Sequence, residues 1–238
     1  MGNRINVKPG SIALVGSGEY LPVMLEVERE LLVGRPSKYV QIPLAAGLES
    51  DESLDYWVKL GQEQAERLGV EAISIRVRNQ DDANDPTHAL LVRGAGLIYL
   101  SGGNPSHLAK SLNGTTLWKA IVDEWKNGAV LAGCSAGAMA LTGWVPALRR
   151  PFQEPTPGLG LLPHLRVLPH FDRMFARIPE LLSRFSDVPE GVSILGIDED
   201  TALVGGPHKW TVKGRQSVWL INGSHREEFH PGDDIETP

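Results

Sequence analysis

Val130-Leu-Ala-Gly-Cys-Ser-Ala-Gly-Ala-Met-Ala-Leu141 is the stretch from which the rest of the chain is read. An apolar run of strand length ends at Gly133, a Gly-x-Ser-x-Gly pattern follows, and small helix-compatible residues continue. A nucleophile elbow requires that order, because its serine sits at the apex of a strand-to-helix turn too tight for flanking side chains. The following helix would aim backbone N–H groups and the positive end of its dipole at the Ser135 hydroxyl. The same pattern also occurs as a plain glycine-rich turn, so the elbow needs support from elsewhere.

Upstream, Ile12-Ala-Leu-Val is a buried strand running into Gly16-Ser-Gly-Glu19, with a helix over Leu21–Leu32. Leu21 stands where a dinucleotide fingerprint needs its third glycine, which makes this a tight turn and not a cofactor loop. Further strands are read at Tyr39–Leu44, Ala72–Val77 and Leu97–Leu100. Helices alternate with them: one capped by Ser50 or Asp51 and running to Leu68, then Asp85–Val92, Ser106–Leu112 and Thr116–Asn127. Such alternation predicts an α/β three-layer αβα sandwich around a mostly parallel sheet. Gly16–Glu19, Gly102–Asn104 and Ser135 each follow the carboxyl end of a strand, the rim where ligands of such sheets collect. That shared rim is the support the elbow needed.

After the elbow the pattern changes. Val145–Pro163 reads as a loop or broken hairpin, Arg166–Phe171 as a short strand, and Asp172–Phe185 as a helix interrupted near Pro179. Ser193–Ile197, Thr201–Val204, Trp210–Val212 and Ser217–Ile221 form a β-rich C-terminal tail, with turns at Gly205-Gly206 and Lys213-Gly-Arg. The last ten residues read as frayed. Without repeats, low-complexity segments or a linker, residues 1–238 read as one domain.

Composition sets the outer limits. The net charge of −6, with no Lys/Arg cluster, argues against a nucleic-acid partner. No apolar run approaches bilayer length, and the first residues lack a signal-peptide core. The single cysteine, Cys134, excludes an intramolecular disulfide and suits a reducing compartment, so a cytoplasmic chain without membrane contact is expected. No histidine pair has metal-ligand spacing, and neither metal nor cofactor is expected. A homodimer stays open.

A serine hydroxyl needs a base, and of the seven histidines His170 is best placed, at the end of a predicted strand in Leu168-Pro-His-Phe. The base needs an orienting carboxylate. If the order is serine, acid, histidine, only Glu154 lies in the interval, with Asp172 as the fallback. The N–H of Ala136 is one oxyanion donor, and the Gly102-Gly103 turn supplies a second. Cys134 belongs to the strand and is expected to point into the core.

Taken together, Ser135-Ala-Gly-Ala in its elbow, Gly102-Gly-Asn, Gly158-Leu-Gly-Leu-Leu-Pro163 and Pro169-His-Phe171 resemble the S51 serine peptidases. That family comprises peptidase E (aspartyl dipeptidase) and cyanophycinase and has a class I glutamine amidotransferase-like fold. The matches run from residue 12 to about 220. Gly16-Ser-Gly-Glu19 and Gly196-Ile-Asp-Glu-Asp-Thr-Ala-Leu203 are more like the cyanophycinase branch, whereas Pro169-His-Phe is closer to peptidase E. The resemblance implies Ser135 as nucleophile, His170 as base, Gly103 and Ala136 as oxyanion donors, and Asn104 in the substrate pocket. It places a carboxylate between serine and histidine, for which Glu154 alone is available, and assigns Arg173 or Arg177 to a substrate carboxylate. Glu19 is a site-lining acid in this reading.

The implied activity is hydrolysis of a peptide or isopeptide bond beside an aspartyl residue, without a cofactor. The chain lacks the closely spaced Arg-x-Arg of many cyanophycinase relatives, so the substrate stays open among α-Asp dipeptides, β-Asp-Arg and cyanophycin. Two rivals remain. One is a catalytically inactive amidotransferase-like binding protein, favoured by the uncertain acid. The other is an α/β-hydrolase esterase, disfavoured because 35 positions between Ser135 and His170 leave little room for intervening strands.

Overall fold

The structure, a computed structural model, describes residues 8–146, 154–174, 188–222 and 225–238. Its organisation follows from strands that are apolar on both sides, as a sheet covered on both faces demands. In Ile12–Val15 (β1), Ile12 and Leu14 enter one core and Ala13 and Val15 the other. Lys38–Ile42 (β2), Glu71–Ser74 (β3), Leu97–Leu100 (β4) and Val130–Cys134 (β5) join β1 in parallel, in the order β1-β5-β4-β2-β3.

Helices Leu25–Leu32 (α1) and Asp51–Leu68 (α2) cover one face, burying Val27, Leu31 and Ala65 against the strands. Ser50 is the cap of α2: its Oγ accepts from the Ser53 N–H at 3.3 Å. The other face carries Gln80–Asn84 (α3), Pro86–Val92 (α4), Pro105–Leu112 (α5) and Thr116–Lys126 (α6), with Leu108, Leu112, Leu117 and Ile121 buried. The short helix α3, absent from the sequence reading, is opened by Asn79, whose side chain accepts from the Asp82 N–H at 3.0 Å.

Past Ala136–Ala140 (α7), the described part of the predicted loop or broken hairpin contains Trp144–Val145 (β6) paired with Thr156–Pro157 (β7). Leu165–Pro169 (β8) leads into a helical turn over Phe171–Met174 (α8); the rest of the helix predicted to Phe185 lies outside the described residues. The C-terminal strands are Ser193–Ile197 (β9), Thr201–Gly205 (β10), Lys209–Gly214 (β11), Val218–Asn222 (β12), His225–Phe229 (β13) and Asp234–Glu236 (β14). They divide between two sheets. Strands β10, β11 and β14 extend the central sheet from β1 in antiparallel fashion, and β8, β9, β12 and β13 form a second sheet.

The C-terminus is therefore not frayed. Ile235 is buried opposite Trp210, and the Trp210 indole N–H donates to Thr237 Oγ1 at 3.2 Å, which gives the last strand an apolar and a polar anchor. The division of the late strands matters for the site. Strand β9 ends beside β8, and the turn from β9 to β10 runs past the carboxyl end of β1.

Candidate active site

Ser135 is the one residue between Val130 and Leu141 that is not buried. Its backbone, φ 47° and ψ −103°, lies where non-glycine residues are rarely found, at a cost of about 1–3 kcal/mol. The elbow glycines make the turn feasible by close approach. A Cβ on Gly133 would lie 2.6 Å from the Gly137 carbonyl carbon, and one on Gly137 would lie 2.2 Å from the Leu100 carbonyl oxygen. The Ser135 N–H donates to the Val15 carbonyl at 2.9 Å, locking the elbow to the end of β1.

His170 leaves β8 in a left-handed turn of its own, φ 51°. Phe171 beside it is fully buried and packs on Trp219 at 5.8 Å between ring centres. A Cβ on Gly196 would stand 2.5 Å from the Phe171 ring, so β9 yields space there. So held, His170 Nε2 lies 3.0 Å from Ser135 Oγ, and His170 Nδ1 lies 3.0 Å from Glu199 Oε1.

That carboxylate corrects the sequence reading. Glu154, the expected partner, is an exposed residue just before β7, and the acid that meets His170 comes from the turn between β9 and β10. Asp172, the fallback, touches the acid and not the base: its Oδ1 accepts from the Glu199 N–H at 3.0 Å. The Glu199 carbonyl in turn accepts from Thr201 Oγ1 at 3.1 Å and Gln216 Nε2 at 2.8 Å.

Among the described residues, four non-glycine residues have positive φ, namely Tyr20, Ser135, His170 and Asp200. Two are Ser135 and His170 themselves, and the others directly follow Glu19 and Glu199. Backbone strain thus gathers at the rim where the polar groups converge.

The Gly102-Gly103 turn packs against the elbow, with the position of a Gly102 Cβ 3.6 Å from Ser135 Cβ. Gly103 adopts φ 135°, and among the described residues neither its N–H nor that of Ala136 has an acceptor. Both are free for an anion. Asn104 Oδ1 accepts from the His107 N–H at 3.0 Å, which caps α5 and leaves its amide nitrogen without a partner among the described residues.

Arg173 projects from α8 with its side chain 71% exposed, and its Nε forms an ion pair with Glu199 Oε2 at 2.6 Å. Arg177 lies outside the described residues. Glu19, expected to line the pocket, is 8% exposed, and both its oxygens are engaged within the protein. It backs the site and does not line it. Burial, reinforced by Glu19, pushes the Cys134 thiol well above its ordinary range, which keeps it protonated.

An alcohol on an imidazole, an imidazole on a carboxylate and two unpaired N–H groups beside the alcohol form a set suited to nucleophilic attack on a carbonyl. Among the described residues there is no group of three or more potential metal ligands, and no helix is long and apolar enough to cross a membrane.

Known proteins carry the same arrangement of chain. The family model for Peptidase family S51 matches residues 12–211. The chain is 32% identical over 158 residues to the cyanophycinase of Geminocystis herdmanii (strain PCC 6308), a match covering 62% of this chain and 57% of that protein. It is 26% identical to the peptidase E of Nostoc sp. (strain PCC 7120 / SAG 25.82 / UTEX 2576), covering 61% of this chain and 64% of that one. The matches thus span less than two thirds of these relatives' lengths. The crystal structure of a peptidase from an acI-B1 Actinobacterium is 40% identical and superposes with a TM-score of 0.89 over 97% of this chain and 98% of its own. A putative peptidase E protein from Listeria monocytogenes EGD-e, 18% identical, shares the fold at a TM-score of 0.61 over 93% of this chain and 98% of its own. With its matched region spanning both the elbow and the turn that bears Glu199, the chain belongs to peptidase family S51.

Proposed function

We propose that this protein is a serine peptidase that hydrolyses a peptide or isopeptide bond beside an aspartyl residue, with Ser135, His170 and Glu199 as its triad. The observation that carries this reading is the pair of 3.0 Å contacts placing His170 between the Ser135 hydroxyl and the Glu199 carboxylate. Ser135 Oγ attacks the carbonyl carbon while His170 Nε2 takes its proton, and Glu199 holds the other ring nitrogen and stabilises the imidazolium. The new oxyanion accepts from the N–H groups of Gly103 and Ala136. Cleavage of the C–N bond returns the proton from His170 to the leaving amine. Water then repeats the sequence on the acyl-enzyme, releasing the acid and free Ser135.

Arg173 is the group for the aspartyl carboxylate. Its Nε is paired with Glu199, and among the described residues the remaining guanidinium N–H groups have no partner on this exposed side chain. Asn104, through its unpartnered amide nitrogen, offers a second polar contact. The inactive-binder reading draws on an uncertain acid, and the 3.0 Å contact between Glu199 and His170 supports the hydrolase reading over it.

Wild type and Ser135→Ala assayed on α-Asp dipeptides, β-Asp-Arg and cyanophycin test the proposal. Turnover of at least one by wild type and none by the variant is expected; equal turnover by both, or none by wild type, contradicts it.

A further inference from the structure

We infer that Glu19 is a positioning residue that sets the spacing between the two oxyanion donors. This rests on the reading of Ser135 as a nucleophile served by Gly103 and Ala136. The Glu19 side chain is more than nine-tenths buried behind the Gly102-Gly103 turn. Its Oε1 accepts from the Gly102 N–H at 2.8 Å, and its Oε2 accepts from Cys134 Sγ at 2.8 Å. One carboxylate therefore grips the residue before Gly103 and the residue before Ser135.

The consequences follow from peptide geometry. A peptide plane whose N–H is held cannot rotate without breaking that bond, so the Glu19 contact fixes the Ser101–Gly102 plane, one step before the plane that carries the Gly103 N–H. On the far side, the Asn104 N–H donates to the Ala45 carbonyl at 2.8 Å and fixes the backbone leaving it. Between these clamps the Gly103 N–H alone has no acceptor among the described residues. Gly102 has no side chain because a Cβ would come within 2.5 Å of Glu19 Oε1.

The second grip ties the same carboxylate to β5 one residue ahead of the elbow, and hence to the Ala136 N–H. Glu19 contributes no contact to substrate. It keeps the two donors at a fixed separation, where a misplacement of about 1 Å costs on the order of a hundredfold in rate.

The test is the rate at which a fluorophosphonate labels Ser135, a reaction in which an Oγ–P bond forms, fluoride leaves and the Oγ proton goes to His170. Wild type, Glu19→Ala, Glu19→Gln and Cys134→Ala are compared after their melting temperatures are recorded. Glu19→Ala should slow labelling about a hundredfold. Glu19→Gln, whose amide oxygen still accepts from Gly102, should restore most of the rate, and Cys134→Ala, which removes the second grip alone, should slow labelling by less than Glu19→Ala does. Affinity for a non-cleavable aspartyl peptide should be unchanged by Glu19→Ala.

Wild-type labelling by Glu19→Ala overturns the inference, as does a loss of peptide affinity that parallels the loss of labelling. If Glu19→Ala does not fold, Glu19→Met, which fills the space without an acceptor, carries the same expectation. A wild type that leaves Ser135 unlabelled counts against the nucleophile reading, and a crystal structure of Glu19→Ala then decides: a Gly103 N–H swung away from Ser135 supports the inference and an unmoved turn overturns it.

Discussion

The Glu199 N–H donates to Asp172 Oδ1 at 3.0 Å, so a side chain two residues past His170 holds the main chain of the acid that meets His170. Base and acid arrive from different strands, β8 and β9, and this bond fixes their relative position. Asp172→Ala should therefore lower kcat by about ten- to a hundredfold with KM little changed. Asp172→Asn, which keeps an acceptor oxygen, should recover most of the loss. Steady-state kinetics on the best substrate from the panel checks both.

Glu199 and Glu154 make opposite predictions. Glu199→Gln removes the charge that stabilises the imidazolium and can leave the ring in the wrong tautomer, so kcat should fall about a thousandfold or more. Glu154→Gln alters an exposed residue, and its kinetics should match wild type. A large loss in the second variant and none in the first would restore the order serine, acid, histidine.

Cys134 immediately precedes the nucleophile yet is fully buried, with its thiol held protonated. Iodoacetamide should leave the native protein unmodified and react stoichiometrically only after denaturation, as read by intact mass. Rapid alkylation of the folded protein would show that the elbow opens.

Beneath the rim, Tyr20, Tyr39 and Tyr99 pack together against Glu28, whose Oε2 accepts from the Tyr39 hydroxyl at 3.0 Å. Burial raises the Glu28 carboxyl from 4.5 to about 7. A folded-state pKa above the unfolded one favours the protonated form. The stability this group contributes is whole below about pH 4.5 and is lost as pH rises through about 7. Glu28→Gln keeps an acceptor for Tyr39 and removes the titration. It should raise stability at pH 8 by on the order of 3 kcal/mol, with little effect at pH 4.5, in urea melts at the two pH values.

The parallel half of the fold is legible because its central strands β1, β4 and β5 are apolar on both faces and its helices carry periodic faces and caps. Ser135, His170 and the Gly102-Gly103 turn were legible for a related reason: each sits at a predicted strand end, where topology brings residues to one rim. The contact of Glu199 with His170 escapes the sequence because an acid expected between serine and histidine is an assumption about chain order and not about geometry. The signal was present in Gly196-Ile-Asp-Glu-Asp-Thr, a strand end like the others. Glu19 was found, but not its orientation, because a carboxylate at a strand tip can face the substrate or the turn behind it. The paired C-terminus was missed because one buried residue, Ile235, is too short a pattern to read as a strand.

The most direct test of the account is the intact mass of the protein after exposure to a fluorophosphonate, followed by peptide mapping, in wild type and in His170→Ala. A single adduct on Ser135 in wild type and none in His170→Ala over the same exposure is the predicted result. An unlabelled Ser135 in wild type, or equal labelling in both proteins, would contradict the claim that His170 activates Ser135.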